Sequence, residues 1–278
     1  SNYNLTAQLQ KSFNFGLFVS GAYTYGKSKD VNSGANSTAS SNFGFLQVVN
    51  DPNNPDLAYS NFDIRHRITG ALSYAVKYGK DKAFGTSFSL FYVGKSGSPF
   101  TYLYFGDLNQ DGNNQNDLLY VPRSLSEIKL ADLNIGTTAA PIIVPIAQQW
   151  AALDAFINSD PYLSSRRGQY AERNGARMPW EHQFDVRIMQ DLGFVGGKGT
   201  KNSLQLSLDI INVGNLLNKD WGRLYSLTNN ASTLINYNYN ATTGGSYTFR
   251  APSNGTAYQV SQFASRWQAQ IGVRYNFN

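Results

Sequence analysis

An all-β fold, the wall of a membrane-spanning antiparallel β-barrel, is what this sequence predicts, and three observations predict it. Seven segments alternate apolar and polar residues with a period of two. The connections between them alternate short and long. The last segment ends the chain with aromatics spaced by two, as the closing strand of an outer-membrane barrel does.

The elements follow in order. Tyr3, Leu5, Ala7 and Leu9 oppose Asn4, Thr6, Gln8 and Gln10 in the first strand. Phe15, Leu17, Val19, Gly21, Tyr23 and Tyr25 make one face of the second. In the third, Ile64, His66, Ile68, Gly70, Leu72, Tyr74 and Val76 oppose Arg65, Arg67, Thr69, Ala71 and Ser73. Phe84, Phe88, Leu90 and Tyr92 define the fourth, and Phe184, Val186, Ile188 and Leu192 the fifth. Leu204, Leu206, Leu208 and Ile210 oppose Gln205, Ser207 and Asp209 in the sixth. The seventh sets Trp267, Ala269, Ile271, Val273, Tyr275 and Phe277 against Arg266, Gln268, Gln270, Gly272, Arg274 and Asn276. A strand apolar on one side only is half-buried.

Connections near 12–14, 79–82 and 193–202 are short, whereas 27–62, 96–179 and 214–265 are long and polar. Outer-membrane barrels have short periplasmic turns and long extracellular loops. The asymmetry therefore places Asn278 in the periplasm, and a soluble sandwich gives no reason for it. Residues 145–160 are the one helical stretch. Ile146, Trp150, Leu153 and Ile157 form its apolar stripe, read as packing on neighbouring loop residues rather than capping the barrel mouth for a ligand. Thr233–Tyr239 and Ser246–Arg250 read as a hairpin inside the last long loop, because both faces are too polar for lipid.

Composition agrees. The 278 residues carry a formal net charge of +5, with 18 Tyr, 17 Phe, 25 Gly, two His and no Cys. Mean hydropathy is −0.37, and no apolar run approaches the roughly 18 residues of a membrane-crossing helix. Lack of Cys excludes disulfides, and the scattered charge is weak support for a polyanion partner. No nucleic-acid partner is expected, since Tyr170 and Arg173 stand alone as a basic–aromatic pair. No nucleophile elbow, phosphate loop or His-Glu-x-x-His motif occurs, so no enzyme is expected. Ser1 opens directly into strand-like sequence, so the piece is expected to be mature, truncated or the C-terminal part of a longer chain.

Seven is an odd count, and single-chain bacterial barrels have even ones. Such a sheet cannot close with both termini on the periplasmic side, and bare edges in lipid are costly. One wall of a larger barrel is the expectation; a small closed barrel with an overlooked eighth strand is the alternative.

Four blocks resemble one family. FDIRHRIT at Phe62–Thr69, DLNQDGNNQNDLLYVP at Asp107–Pro122, RNGARMPW at Arg173–Trp180 and DIINVGNLLN at Asp209–Asn218 are similar, in this order, to blocks of TonB-dependent receptors. The type is Oar-like, with a carboxypeptidase-regulatory-like domain, and the terminal strand is similar as well. The resemblance spans the whole chain. It implies the last third of a barrel of about 22 strands around a plug, with no plug or TonB-contacting segment among these residues. It implies a receptor or transporter that passes a solute, peptide or protein across the outer membrane of a Gram-negative cell. Implied partners are the TonB complex, acting through that plug, the barrel assembly machinery and outer-membrane lipid. A non-transporting adhesin or structural anchor is the alternative, and a soluble β-rich binding module a further one.

Several side chains are candidates by chemistry. Asp107, Asn109 and Asp111 with Gly112 follow the first half of a calcium loop, and Asn113 offers its carbonyl. The acidic residue expected at position 12 is replaced by Leu118, with Asp117 one residue early. The competing reading is a loop of Asn and Asp side-chain turns. A bound Ca2+ would be a structural clip. Arg65, Arg67, Arg187 and Arg274 lie on polar strand faces as lumen-lining candidates. They are read as bracing pairs with Asp63, Asp185, Asp191 or Asp209 more than as a path for an anion. His66 falls on the lipid side as an interfacial residue. Trp267, Tyr275 and Phe277 are assigned to the signal strand read during barrel assembly.

Overall fold

The computed structural model describes residues 1–194 and 202–277; most of the predicted 193–202 turn, and Asn278, lie outside the described residues. Seven strands form one antiparallel meander in chain order: Asn2–Ser12, Leu17–Asp30, His66–Tyr78, Phe84–Lys95, Glu181–Phe194, Ser203–Ile211 and Gln268–Asn276. The two-residue strand Ala58–Tyr59 extends the end of the second. No described helix is long and apolar enough to cross a membrane.

Register makes the two faces continuous. Val19, Leu72, Leu90, Val186, Ile210 and Ala269 lie opposite one another across six strands, an unbroken apolar row. Displaced by one residue, Ser73, Ser89, Arg187, Asp209 and Gln270 form a polar row on the other face. A one-residue slip would exchange these faces, so the alternation fixes the register. One cluster of polar atoms on the apolar face satisfies itself. The Tyr78 hydroxyl and Thr86 Oγ1 both donate to Gln190 Oε1, at 3.2 and 2.7 Å. Pairing of this kind is what an environment without water demands.

Short turns occupy one end of the sheet. Gly16, at φ +94°, closes the first; a Cβ there would lie 2.1 Å from the Ala75 carbonyl oxygen, so no other residue fits. Gly79, at φ +80°, begins the second, which continues through the 3-10 turn Lys80–Lys82.

The other end departs from expectation. The excursions predicted as polar loops pack into a head with its own core. Phe100, Tyr102, Tyr104, Leu119, Val121, Leu153, Ile157, Leu163, Ile235 and Phe249 are all buried there. Its centre is the strand Pro99–Phe105, whose first six residues are buried on both faces. It pairs in parallel with Ala231–Asn240 and antiparallel with Ala176–Arg177. Parallel strands covered on both sides carry continuous apolar runs rather than alternation, and this run lacks the period that marks the wall.

The predicted hairpin is present as Ala231–Asn240 and Gly244–Phe249, within the head and off the wall. The predicted helix is Ile146–Ser159. Leu153 and Ile157 of its stripe are in the core and Trp150 packs against it, whereas Ile146 is exposed. Asp160, before Pro161, stops it, then caps the next short helix through Leu163 N–H (2.8 Å) and accepts the Tyr102 hydroxyl (2.6 Å). Gln149 is buried yet fully used: its amide donates to the Ala131 and Val144 carbonyls and accepts from Phe249 N–H. The helix is one of four among the described residues. Ala39–Gly44, Pro161–Ser165 and Val213–Leu217 are too short to carry a visible period, so the expectation of a single helical stretch is corrected.

Candidate functional site

Three of the motif blocks meet where the wall joins the head. Asp63, 1% exposed, accepts Ser28 N–H at 2.6 Å and is paired with Arg177, whose other amine reaches the Asp63 carbonyl. Arg173 pairs with Asp30 at 2.9 Å, and Asn174 donates its amide to Tyr59 O and Asn61 Oδ1 at 2.7 and 2.8 Å. Asn212 sits at φ +54° and ties the Gly222 and Ser265 carbonyls together, both at 2.8 Å. FDIRHRIT, RNGARMPW and DIINVGNLLN are thus the joint between the two halves of the molecule.

Cations crowd this joint around one ring. Lys27, Lys29, Arg65 and Arg177 lie 6.0, 5.0, 4.5 and 5.5 Å from the centre of Tyr59. A tyrosine face attracts each of them. One Arg65 amine, Nη2, is buried without a hydrogen-bond partner.

The predicted bracing pairs form only in part. Arg187 makes a two-pronged pair with Asp209, at 2.5 and 3.1 Å. Arg274 lies in the same groove as Arg187 and Asp209, facing Gln205 across the strands. Arg67 stands opposite Lys95, and Lys95 bonds Glu181 at 3.0 Å. The remaining acids serve otherwise: Asp63 holds Arg177 rather than Arg65, Asp185 accepts Asn212 N–H, and Asp191 accepts the Gln205 amide. Those partners lie far off in sequence or belong to main chain and amides, which alternation does not reveal.

On the apolar face a row of rings crosses the strands near the head. Tyr23 bonds His66 Nδ1 at 2.7 Å, Trp180 stacks between His66 and His182 at 5.9 Å from each, and Tyr92 bonds His182 Nδ1 at 2.8 Å. His66 is therefore in an aromatic band, as an interfacial position requires. Trp180 and His182 were not singled out from sequence, although their even numbering, in phase with Phe184 and Val186 of the fifth strand, carries that signal. Trp267, Tyr275 and Phe277 share the apolar side of the last strand and are exposed, with the Tyr275 and Phe277 rings 6.2 Å apart.

In the head, the Asp107 loop is folded by its own side chains. Asp107 accepts N–H from Asp111 (3.0 Å) and Gly112 (2.9 Å), and Asn109 accepts from Asp111 (3.0 Å). Asp111 accepts from Asn113 N–H at 2.9 Å and from the Asn116 amide at 2.7 Å. Burial raises its carboxyl, but these bonds outweigh burial and hold it below the usual range. Asp117 accepts Leu108 N–H at 2.7 Å. Burial, with Asp111 and Asp107 nearby, pushes its carboxyl up to about 6. Among the described residues no group of three or more His, Cys, Asp or Glu side chains could hold a metal ion. Beside this loop, a cleft of about 610 Å³ runs between the first and second long loops, with Lys29, Val48, Asp56, Tyr59, Arg166 and Tyr170 on its walls.

No curated protein and no solved structure gives a match to the chain. A family described as the outer membrane beta barrel domain matches residues 1–233. With the two-faced meander, the aromatic band and this match together, the chain belongs to the outer membrane beta barrel domain family, and its place is the outer membrane.

Proposed function

We propose that the chain supplies one wall and the outer loops of a TonB-dependent, Oar-like receptor that binds a solute, peptide or protein and passes it across the membrane. The sheet's free edges carry this reading. Leu5 and Leu9 of the first strand are 72% and 84% exposed, and Ile271 and Val273 of the last are 79% and 68%. Their counterparts Leu72, Phe88, Phe184 and Ile188 on inner strands are 37–39% exposed. Strand neighbours supply the difference, so further strands belong on both sides. In lipid every backbone group needs a partner, and a wall of about 22 strands leaves room for a plug. The long-loop end faces outward in this reading, and the Asn276 end of the last strand faces the periplasm. The cleft between the first and second long loops is the receiving surface. No catalytic step is assigned.

The packed head favours one other use. Loops with a core of their own form a solid surface, which suits an adhesin or anchor that transports nothing. Pull-down of the full-length protein, in detergent, with the periplasmic domain of TonB separates the two. Saturable binding is expected for the receptor. Absence of binding, with the protein folded in the membrane, favours the adhesin or anchor.

A further inference from the structure

Past the aromatic band, the second strand continues its apolar face with two lysines. Lys27 and Lys29 follow Tyr23 and Tyr25 in steps of two, so they share the lipid-facing side. Register agrees: Lys27 stands opposite Tyr3 of the first strand and Lys29 opposite Tyr59 of the short strand. Directly opposed residues point to the same face. Tyr25 joins the band through Tyr3 and His66, whose rings lie 6.2 and 5.4 Å from its own. At about 3.3 Å per residue, Lys27 and Lys29 lie roughly 7 and 13 Å beyond it, toward the head.

Arg65 and Arg177 complete the group, and all four cations converge on the Tyr59 ring, 4.5–6.0 Å from its centre. Of the four, Arg177 alone forms a salt bridge, with Asp63; among the described residues Lys27, Lys29 and Arg65 form none. Asp30, next to Lys29 in the chain, is taken by Arg173. Arg65 Nη2 is buried without a hydrogen-bond partner, and a buried polar atom left so calls for a cause. Like charges gathered this closely repel, and one ring face offsets only part of that. The group lacks an anion.

We propose that these cations bind a phosphate of a lipid headgroup. With the long-loop end outward, an orientation that rests on the reading above, the lipid is a phosphorylated glycolipid of the outer leaflet. Depth selects a lipid over a soluble anion. Tyr and Trp belts mark headgroup level, and long Lys and Arg side chains extend from an apolar surface to reach it. The Arg65 guanidinium is a planar fork that matches two phosphate oxygens, while the lysines add mobile point charges. Tyr59 is held in turn by Asn174, whose amide donates to its carbonyl at 2.7 Å. A phosphate bound here therefore neutralises the joint between wall and head as well as anchoring the wall at its depth.

Titration of the full-length, delipidated protein with diphosphoryl lipid A, followed by native mass spectrometry in detergent, tests the site. One saturable adduct is expected. Its apparent affinity should fall at least about 10-fold when Lys27→Gln and Lys29→Gln are combined, since each removes a cation facing an anionic headgroup. It should not change in Lys11→Gln, on the same face at the turn end. Equal binding by all forms overturns the proposal, and displacement of the adduct by millimolar inorganic phosphate overturns the lipid as its source. Wild-type protein gives a second readout that needs no variant to fold. Acetylation of Lys27 and Lys29 should slow relative to Lys11 when lipid A is added to phosphatidylcholine vesicles; equal slowing at Lys11 also overturns the site. Orientation is read separately with Ser37→Cys, exposed in the first long loop, in a Cys-free background. Labelling by a membrane-impermeant maleimide on intact cells is expected, and its absence overturns the outward placement and the outer-leaflet assignment.

Discussion

Asp63 shows what one buried charge does in this molecule. Its carboxylate holds Arg177 and the Ser28 N–H, so it fastens the first turn of the head to the second wall strand. Asp63→Ala leaves Arg177 as an uncompensated cation at the joint, and breaking one side of a buried pair costs roughly 3–5 kcal/mol. Faster hydrogen exchange at Ser28 and around Ala176 is expected, with the exchange of Leu72 and Leu90 unchanged. Equal exchange at the joint would show that the pair holds nothing. Sequence reading offered Asp63, with Asp185, Asp191 and Asp209, as a pairing partner for Arg65, Arg67, Arg187 and Arg274. The true partner of Asp63 is 114 residues away, a distance over which a period of two carries no information. The same limit hid Trp180, whose ring stacks on His66 of the third wall strand.

Elements were legible in proportion to how regular their surroundings are. Each wall strand has lipid on one side and polar groups on the other, so alternation located all seven, with ends displaced by a few residues. The second strand continues to Asp30 and the third begins at His66, because their last residues join the head rather than the wall. Pro99–Phe105 was passed over as loop because it is covered on both faces. The helix was legible because its stripe repeats over three turns. Leu153, fully buried in that stripe, separates a core role from a surface one. Leu153→Ala should lower the unfolding free energy of the head by about 2–5 kcal/mol, whereas Ile146→Ala, on an exposed position, should change it by within about 0.5 kcal/mol. Limited proteolysis of the head in urea reads both; similar losses would place the helix outside the core. The last strand carries its own outcome. Removal of residues 275–278 strips Tyr275 and Phe277 from the terminal strand, and heat-modifiable, membrane-inserted protein should disappear. Insertion at the wild-type level would remove these residues from barrel assembly.

At the scale of the whole molecule, two kinds of order share one chain. The wall is a regular sheet whose stability comes from register and from lipid on its apolar face. The head is an irregular body held by a hydrophobic core, short parallel pairing and buried ion pairs. The four motif blocks belong to the joint and the head, which is why they stood out against repetitive strands. Family membership follows from the wall, and the proposed receptor function depends on what completes it. The central claim is that these seven strands are part of a larger barrel. The intact mass of the native polypeptide, extracted in detergent from outer membranes, tests it most directly. A mass of roughly three times 30.8 kDa is the expected result, in keeping with a wall of about 22 strands. A mass of 30.8 kDa, with no second polypeptide in the particle, would contradict it.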